Sequence, residues 1–280
     1  MTEHHGLGTL HHDTYFARMA AGLGDKARML AHLLPGRVLD LGAGDGSLTA
    51  RLREAGWDAH GLDASASAVE RSGGLVRTGD ILDADAVFEP GTFDNVILSS
   101  VLHEVWSYAD GDRDAARDHA VEVASRMLRP GGRLIIRDGV GPRDAATPCR
   151  VTFRAEDGPA FLEQWLALPP WSDGRDGGVR LVDGALEGDA RWTTEFLLTY
   201  VWGWDSLPRE GLEYYTVAGP LPDAAARFAA VSGLEVRHAE DYTQPGYVEH
   251  WTPLVAFAQR DGDGWAERPW PASNALWVLG

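Results

Sequence analysis

The chain has 280 residues, enough to bury roughly three quarters of the surface that its unfolded form exposes. With 44% hydrophobic and 24% charged residues, its composition is close to the globular average, which excludes a disordered chain. The 42 acidic and 25 basic residues give a net charge of −17. This charge repels phosphate backbones and predicts that nucleic acid is not a partner.

The chain also lacks the signals of membrane insertion and secretion. No apolar run approaches the ~20 residues that a membrane-spanning helix needs, so no membrane partner is expected. Cys149 is the only cysteine, so no disulfide can form within the chain. The polar, histidine-containing start at residues 1–10 has no apolar core of a secretory signal. We therefore expect a soluble, cytoplasmic protein.

The predicted elements of the first half alternate between helix and strand. Apolar residues recur at spacings of three and four through residue 35, which predicts helix up to Pro35-Gly36. Strands then alternate with helices, which predicts an α/β fold with a parallel sheet and right-handed crossovers. The predicted strands are 37–41, 59–62, 75–77, 93–99 and 133–138, and the predicted helices are 47–55, 65–72 and 113–128.

The second half has a different texture, rich in Gly, Pro, Asp and Trp after residue 139. Nine of the 11 Trp lie from Trp165 onward, which suits either an aromatic pocket or an ordinary aromatic core. The predicted helices here are 158–168, 193–204 and 223–231, and the predicted strands are 234–239, 254–258 and 275–279. The pattern does not say which of the last two strands closes the main sheet.

A glycine-rich loop joins the first strand to the first helix of the alternating part. Gly42, Gly44 and Gly46 follow the G-x-G-x-G spacing, which departs from the G-x-G-x-x-G of dinucleotide binders. Glycines here let the backbone approach a ligand closely, because a Cβ at these positions would collide with it. Asp40 ends the strand, and its charge suits an ammonium or sulfonium better than a pyrophosphate. The loop therefore disfavours NAD.

Two further acids follow at the ends of the next predicted strands. Asp63 lies about 20 residues beyond the loop, the position that hydrogen-bonds ribose hydroxyls in nucleotide-binding sheets. Asp80 lies in the loop after the third strand, where it can read the amino group of an adenine. Either acid could instead cap a helix or be solvated in a loop.

This ordered series resembles the class I S-adenosylmethionine-dependent methyltransferases. The resemblance covers roughly residues 37–138, ending with Leu128-Arg129-Pro130-Gly131-Gly132-Arg133-Leu134. It implies a Rossmann-like, seven-stranded, mostly parallel sheet with one antiparallel strand near the edge, and S-adenosylmethionine across the carboxyl ends of the strands. The implied domains are an N-terminal helical lid (1–35), a cofactor-binding core (36–139), an insertion that caps the substrate (140–232) and C-terminal strands that complete the sheet (233–280).

The resemblance also implies a set of cofactor contacts. The methionyl part would lie over the glycine loop, the ribose at the second strand and the adenine at the third. The lid would supply a phenol and an ammonium for the methionine carboxylate. The implied cofactor-binding residues are Tyr15, Lys26, Asp40, Gly42, Ala43, Gly44, Asp63, Ala64, Asp80, Ile81 and Ser99.

Three residues near the ends of the fourth and fifth strands are the candidate catalytic groups. His103 is the first choice for a general base or substrate orienter, because an imidazole titrates near neutral pH. Packing, or a hydrogen bond to the cofactor, is the alternative for this histidine. Glu104 could orient His103 or face solvent, and Asp138 points toward the same edge. No metal site is predicted.

An aromatic stretch with acids supplies the candidate acceptor pocket. Aromatic faces beside carboxylates would suit a cationic or amine acceptor. The same helical spacing is also typical of an ordinary core. The candidate substrate-binding residues are Glu195, Tyr200, Trp202, Trp204 and Tyr214.

The leading functional hypothesis is O- or N-methylation of a small-molecule acceptor. A first alternative is an enzyme of the same fold that uses the cofactor for aminocarboxypropyl transfer or intramolecular cyclisation, releasing 5′-methylthioadenosine. A second alternative is a non-catalytic module that senses the cofactor. The acceptor is not readable from the sequence, because one fold hosts many acceptors, and a homodimer stays open.

Overall fold

We describe the protein from a computed structural model of residues 28–168 and 178–280. Most of the N-terminal segment predicted to be a helical lid, with Tyr15 and Lys26, lies outside these residues. The strands are β1 Arg37–Leu41, β2 Asp58–Asp63, β3 Val76–Thr78, β4 Phe93–Ser99, β5 Leu128–Gly139, β6 Pro148–Phe153, β7 Val179–Val182, β8 Ala185–Asp189, β9 Val236–Tyr242, β10 Val255–Asp261, β11 Gly264–Glu267 and β12 Asn274–Leu279. The helices are α1 Ser47–Glu54, α2 Ala66–Arg71, α3 Leu102–Tyr108, α4 Arg113–Arg126, α5 Gly158–Ala167, α6 Ala190–Tyr200, α7 Leu207–Glu210, α8 Leu221–Ser232 and α9 Pro245–Leu254.

The main sheet has seven strands in the order β3-β2-β1-β4-β5-β12-β9. The strands from β3 to β5 pair in parallel, whereas β12 runs antiparallel to both of its neighbours, β5 and β9. The predicted α/β fold, with a mostly parallel sheet and one antiparallel strand near its edge, is thereby confirmed. Of the two C-terminal strand candidates, the second enters this sheet as β12.

The central strands are apolar almost throughout because both faces of the sheet are covered. All seven residues of β4 are buried. Alternate side chains point to opposite faces, so Ile97 packs with Leu52 of α1, while Leu98 packs with Ala120 of α4. Burial on both sides is what gives a parallel strand a continuous apolar run in place of an alternating one.

The helix α3 was not predicted, and β5 begins at Leu128, five residues before the predicted strand 133–138. The helix begins where Asp138, from the end of β5, accepts a hydrogen bond from the Leu102 backbone N–H at 2.8 Å. A helix capped from a distant strand leaves no local capping signal. The register between β4 and β5 shifts from Phe93 to Asn95, so the glycines at 131 and 132 form an irregularity within the strand.

A second, antiparallel sheet has the order β11-β10-β6-β8-β7. The insertion supplies β6, β7 and β8, and the later segment 255–267 supplies β10 and β11. Residues 233–280 therefore contribute to both sheets. Val255 and Phe257 are buried. Their apolar pattern would suit a strand in the main sheet as well as one in the second sheet, so the sequence pattern does not predict which sheet they join. No helix in the described part of the chain is long and apolar enough to cross a membrane.

The insertion docks onto the main sheet where β5 ends. A Cβ at Gly139 would overlap the backbone carbonyl oxygen of Tyr215. Two residues on, the Gly141 N–H donates to the Gly219 carbonyl at 2.9 Å. These backbone contacts bring residues 213–219 over the carboxyl ends of β4 and β5. We call residues 207–216, with the second sheet and its helices, the cap.

Replacement of Gly139 by alanine tests this docking. We expect Gly139→Ala to lower the free energy of unfolding by about 1–3 kcal/mol, because the methyl group has no space beside the Tyr215 carbonyl. Urea unfolding measures the loss. The control is Gly246→Ala, whose Cβ would meet nothing within 4 Å, and we expect a change within about 0.5 kcal/mol. Equal stability of both variants would contradict the docking of the cap at β5.

Candidate active site

The three glycines of the loop have left-handed backbone angles. Gly42, Gly44 and Gly46 have φ angles of 78°, 56° and 77°. A residue with a Cβ adopts such angles only with strain. The Asp63 carboxylate holds the loop, because it accepts hydrogen bonds from the backbone N–H groups of Gly44 at 2.7 Å and Ser65 at 2.8 Å.

Asp63 nevertheless keeps acceptor capacity for a ligand. A carboxylate has about four lone-pair sites, and the two backbone bonds use one on each oxygen. Each oxygen can therefore still accept a hydroxyl, as binding of a ribose requires. Asp40 is buried behind the loop, where the Thr49 hydroxyl lies 3.3 Å from its Oδ2 atom.

The remaining predicted cofactor residues lie at the same edge of the sheet. Asp80 accepts a hydrogen bond from the Leu82 backbone N–H at 2.9 Å and so caps the short 3₁₀ turn Ile81–Ala86. One oxygen of Asp80 makes this cap. Ala64 is exposed at the end of β2, and Ala43 is buried in the glycine loop. The fold thus brings the carboxyl ends of β1, β2 and β3 together.

An open polar atom marks the end of β4. The hydroxyl of Ser99 is buried and has no hydrogen-bond partner among the described residues. The next residue, Ser100, has a φ of 57°, a strained value for a non-glycine residue. Its hydroxyl accepts a hydrogen bond from Arg137 at 2.6 Å. A left-handed glycine loop, a carboxylate with free lone pairs and an unpaired buried hydroxyl fit a nucleoside cofactor with polar substituents.

His103 and Asp138 form the central contact of the site. The Nδ1 atom of His103 lies 2.6 Å from Oδ1 of Asp138. Burial alone would raise the pKa of Asp138, but the positive His103 ring and its hydrogen bonds hold that pKa below the usual range. Because Asp138 also caps α3, one carboxylate positions both the imidazole and the helix that carries it.

The cap contributes a second carboxylate to this histidine. Oε2 of Glu213 lies 3.5 Å from Nε2 of His103, and Oε1 of Glu213 accepts from the Tyr108 hydroxyl at 2.8 Å. Burial would lower the pKa of His103, yet Asp138 and Glu213 together raise it well above its usual value. The ring is then an imidazolium with both nitrogens engaged. This geometry favours an orienting role for His103 over that of a general base.

Glu104 is the carboxylate with an open side. Its Oε1 atom lies 3.3 Å from Nη2 of Arg209, and 31% of its side chain is exposed. Burial and the neighbouring Glu213 charge raise the pKa of Glu104 to about 7. Glu104 is therefore the predicted catalytic residue that can take up and release a proton near neutral pH.

The predicted acceptor residues make contacts that hold the cap together. Glu195 is buried and accepts hydrogen bonds from the backbone N–H groups of Tyr215 and Thr216, both at 2.8 Å. Tyr200 lies in the aromatic core, with its ring centroid 4.9 Å from that of Phe161. Trp202 packs against the same core from a half-buried position.

The other two predicted acceptor residues contact different parts of the chain. Trp204 is 42% exposed, and its indole N–H donates to Asp157 at 2.7 Å. Tyr214 is buried beside Trp106, and its backbone N–H donates to the Ser107 hydroxyl at 2.9 Å. Tyr214 is thus the member of the set that lies next to α3, the helix that carries His103 and Glu104.

Sequence reasoning missed four residues that complete this network: Tyr108, Arg209, Glu210 and Glu213. No local motif marks them, although Glu213 directly precedes the predicted Tyr214. His103, Glu104 and Glu213 each offer a ligand atom within 4.8 Å of the others, a spacing that could hold a metal ion. Arg209 already lies on both carboxylates, at 3.3 Å from Glu104 and 3.4 Å from Glu213.

Comparisons with known proteins match the part of the chain that carries the glycine loop to methyltransferases. Residues 39–136, which run from β1 into β5, match the family model described as a methyltransferase domain. An uncharacterized methyltransferase of Mycobacterium tuberculosis is 35% identical over 105 residues, covering 35% of this chain and 37% of the relative. One from Geobacillus kaustophilus is 29% identical over 129 residues, covering 44% and 53%. The chain thus spans between about a third and a half of the length of these relatives.

A solved structure has the same fold over most of its length. The S-adenosylmethionine-dependent methyltransferase from Archaeoglobus fulgidus superposes with a TM-score of 0.50, at 12% identity, with 93% of each chain covered. At this identity the likeness concerns the fold alone. Residues 39–136 are therefore a methyltransferase domain. The main sheet, with one antiparallel strand near its edge, is the one that the resemblance to class I S-adenosylmethionine-dependent methyltransferases implies. The resemblance seen in the sequence is confirmed.

Replacement of Asp63 tests the cofactor site. We expect Asp63→Ala to weaken S-adenosylhomocysteine binding by about 1–3 kcal/mol, because the ribose loses a charged acceptor and the loop loses its anchor at Gly44. Calorimetric titration measures the change. Asp263→Ala, in the exposed turn between β10 and β11, is the control and should bind as the native protein does. Unchanged affinity of Asp63→Ala would remove this acid from the ribose contact.

Replacement of Glu195 separates packing from acceptor binding. We expect Glu195→Ala to lower the free energy of unfolding by about 2–4 kcal/mol, because two buried N–H groups lose their acceptor. Thermal unfolding of this variant is compared with that of Glu156→Ala, an exposed position on the cap. A native-like stability together with weaker acceptor binding would instead give Glu195 the role in the acceptor pocket.

Proposed function

We propose that this protein is a methyltransferase that transfers a methyl group from S-adenosylmethionine to an oxygen or nitrogen atom of a small molecule. S-adenosylmethionine, when bound, supplies an electrophilic methyl group whose transfer leaves a neutral thioether. The observation that carries the proposal is Glu104, a partly open carboxylate whose pKa lies near 7, at the carboxyl end of β4. An acceptor with a dissociable proton needs such a group.

Each catalytic candidate has a distinct role in this proposal. Glu104 accepts the proton that the acceptor loses. His103 is a positioning residue, because its two ring nitrogens face Asp138 and Glu213 and fix α3 against the cap. Asp138 holds the imidazolium and the start of the same helix. The chain thereby presents Glu104 on a rigid element, as efficient proton transfer requires.

The position of the site supports a small acceptor. His103 and Asp138 are buried beneath residues 207–216, which include the buried Glu213, so a large substrate would have to displace the cap. The overall charge of −17 repels a nucleic-acid acceptor. The buried titratable network also favours catalysis over a module that only senses the cofactor, since sensing requires no proton acceptor beside the transferred methyl.

The experiment that tests the proposal starts with the cofactor alone. Calorimetric titration with S-adenosylmethionine and S-adenosylhomocysteine should show micromolar binding of both. Mass spectrometry should then find the cofactor intact until small amines, phenols or carboxylates are added and one of them is methylated. Release of 5′-methylthioadenosine without an acceptor would establish the non-methyl chemistry instead. Absence of binding would overturn the proposal.

Replacement of Glu104 tests its role as a proton acceptor. We expect Glu104→Gln to lower kcat/KM for the methylated acceptor by about 10² or more. The native pH profile should rise up to a plateau above pH 7, because Glu104 must be ionised to accept a proton and its pKa is about 7. The variant should lose this rise. Glu122→Gln, on the exposed side of α4, should keep the native profile. A rise preserved in Glu104→Gln would assign it to another group.

A further inference from the structure

The cluster around His103 contains more negative than positive charge. Glu104, Asp138, Glu210 and Glu213 supply four carboxylates. Among the described residues, the cations in contact with them are His103 and Arg209. His103 lies between Asp138 and Glu213, at 2.6 and 3.5 Å, and Arg209 lies between Glu104 and Glu213, at 3.3 and 3.4 Å. Two carboxylates are therefore not balanced by a cation within residues 28–168 and 178–280.

Glu210 provides an independent sign of an incomplete site. Its side chain is 2% exposed, and its Oε1 atom has no hydrogen-bond partner among the described residues. The other oxygen accepts from the Tyr215 hydroxyl, whose ring lies 5.0 Å from that of His103. A buried carboxylate oxygen without a donor costs free energy, so native proteins rarely leave one. Its open lone pairs can be satisfied by a donor that enters the cluster.

Two carboxyl groups of the cluster have raised pKa values, so they keep their protons at a higher pH than usual. Burial and the Glu213 charge raise the pKa of Glu210 to about 8, against the opposing charge of Arg209 and the Tyr215 hydrogen bond. The pKa of Glu104 is raised in the same way, by burial and by the Glu213 charge, with a further contribution from Asp63. The charges of Arg209 and His103 oppose this rise. Near neutral pH the cluster therefore holds protons that an incoming cation would release.

The partly exposed side of the cluster lies near the carboxyl end of β4. Glu104 lies in the first turn of α3, directly after the end of β4, and Arg209 is 30% exposed beside it. A ligand that enters here contacts Glu104 first. From the charge, the unpaired oxygen and this position, we propose that the methyl acceptor is an amine whose ammonium group binds at Glu104 and Glu213, with Glu210 behind them. This inference rests on the function proposed above.

An amine fits this cluster better than other acceptors do. A carboxylate or phosphate would be repelled, and a neutral phenol would add no positive charge. A divalent cation would supply two charges, but direct ligation by Glu104 and Glu213 would have to displace Arg209 from both. An ammonium adds one charge and three N–H donors to the existing network, and it leaves the guanidinium in place.

The same carboxylate that binds the ammonium can also activate it. An ammonium has no lone pair, so one N–H proton must first move to Glu104. The freed lone pair then forms the bond to the methyl carbon, and the electrons of the breaking C–S bond return to sulfur. The amine product leaves carrying one methyl group in place of the proton that Glu104 accepted. Charge and atoms balance without a further reactant.

The test compares probes of one shape and different charge. With the protein saturated by S-adenosylhomocysteine, we would titrate benzylammonium, benzyl alcohol and benzoate at pH 7.5 in phosphate and in HEPES. We expect benzylammonium to bind at least tenfold more tightly than the other two. Its binding enthalpy should differ between the buffers because protons are released, and this difference should shrink in Glu210→Gln, which lacks one retained proton.

Variants then locate the ammonium. Glu213→Gln should weaken benzylammonium binding at least tenfold while S-adenosylhomocysteine binding stays within about twofold, which also shows that the protein is folded. Glu122→Gln, the exposed control, should bind both as the native protein does. Glu104→Gln should weaken benzylammonium as well, because the cluster loses its open carboxylate.

Several outcomes would overturn the inference. Equal affinity for benzylammonium and benzyl alcohol, or a binding enthalpy independent of the buffer, would contradict an ammonium site. Binding of Mn²⁺ that Glu104→Gln and Glu213→Gln abolish, with no binding of benzylammonium, would replace it by a metal site. Methylation of a phenol or carboxylate without ammonium binding would leave the proposed function standing and reject the amine. Failure to bind S-adenosylhomocysteine would reject both.

Discussion

The site depends on the buried contact between His103 and Asp138. This one interaction joins the end of β5 to the start of α3, since the same carboxylate holds the imidazole and accepts the Leu102 backbone N–H. A charge pair without water around it costs desolvation free energy, which is offset only when further hydrogen bonds satisfy both partners. The cap supplies them in the form of Glu213, which faces the second ring nitrogen.

The cap is therefore part of the site and not an addition to a finished domain. Its Glu213 carboxylate faces His103, and burial together with the Glu213 charge raises the pKa of Glu104. One group therefore serves both stability and chemistry, because Glu213 compensates the buried charge of His103 and also perturbs the pKa of Glu104. Sites with such perturbed groups are where function concentrates in proteins.

Part of the candidate site was predictable because the sequence signals of the methyltransferase core lie close together in the chain. The glycines of the loop need left-handed angles that few other residues adopt, so their spacing carries information without any tertiary contact. Asp63 was predictable for a similar reason, since it follows a strand at a fixed distance from that loop. Glu213 was not. It lies 110 residues after His103, beyond three strands of the second sheet, and no periodicity in the sequence records their contact.

The sequence by itself determined the α/β class and the parallel core, because alternating apolar strands and a glycine loop permit little else. Only the tertiary structure decided whether the aromatic stretch is buried in a core and which sheet each of the last strands joins. Tyr200 became core because the second sheet covers it, and β12 joined the main sheet because antiparallel pairing between β5 and β9 was available there. These outcomes depend on partners distant in the chain, and burial in either place looks the same in sequence.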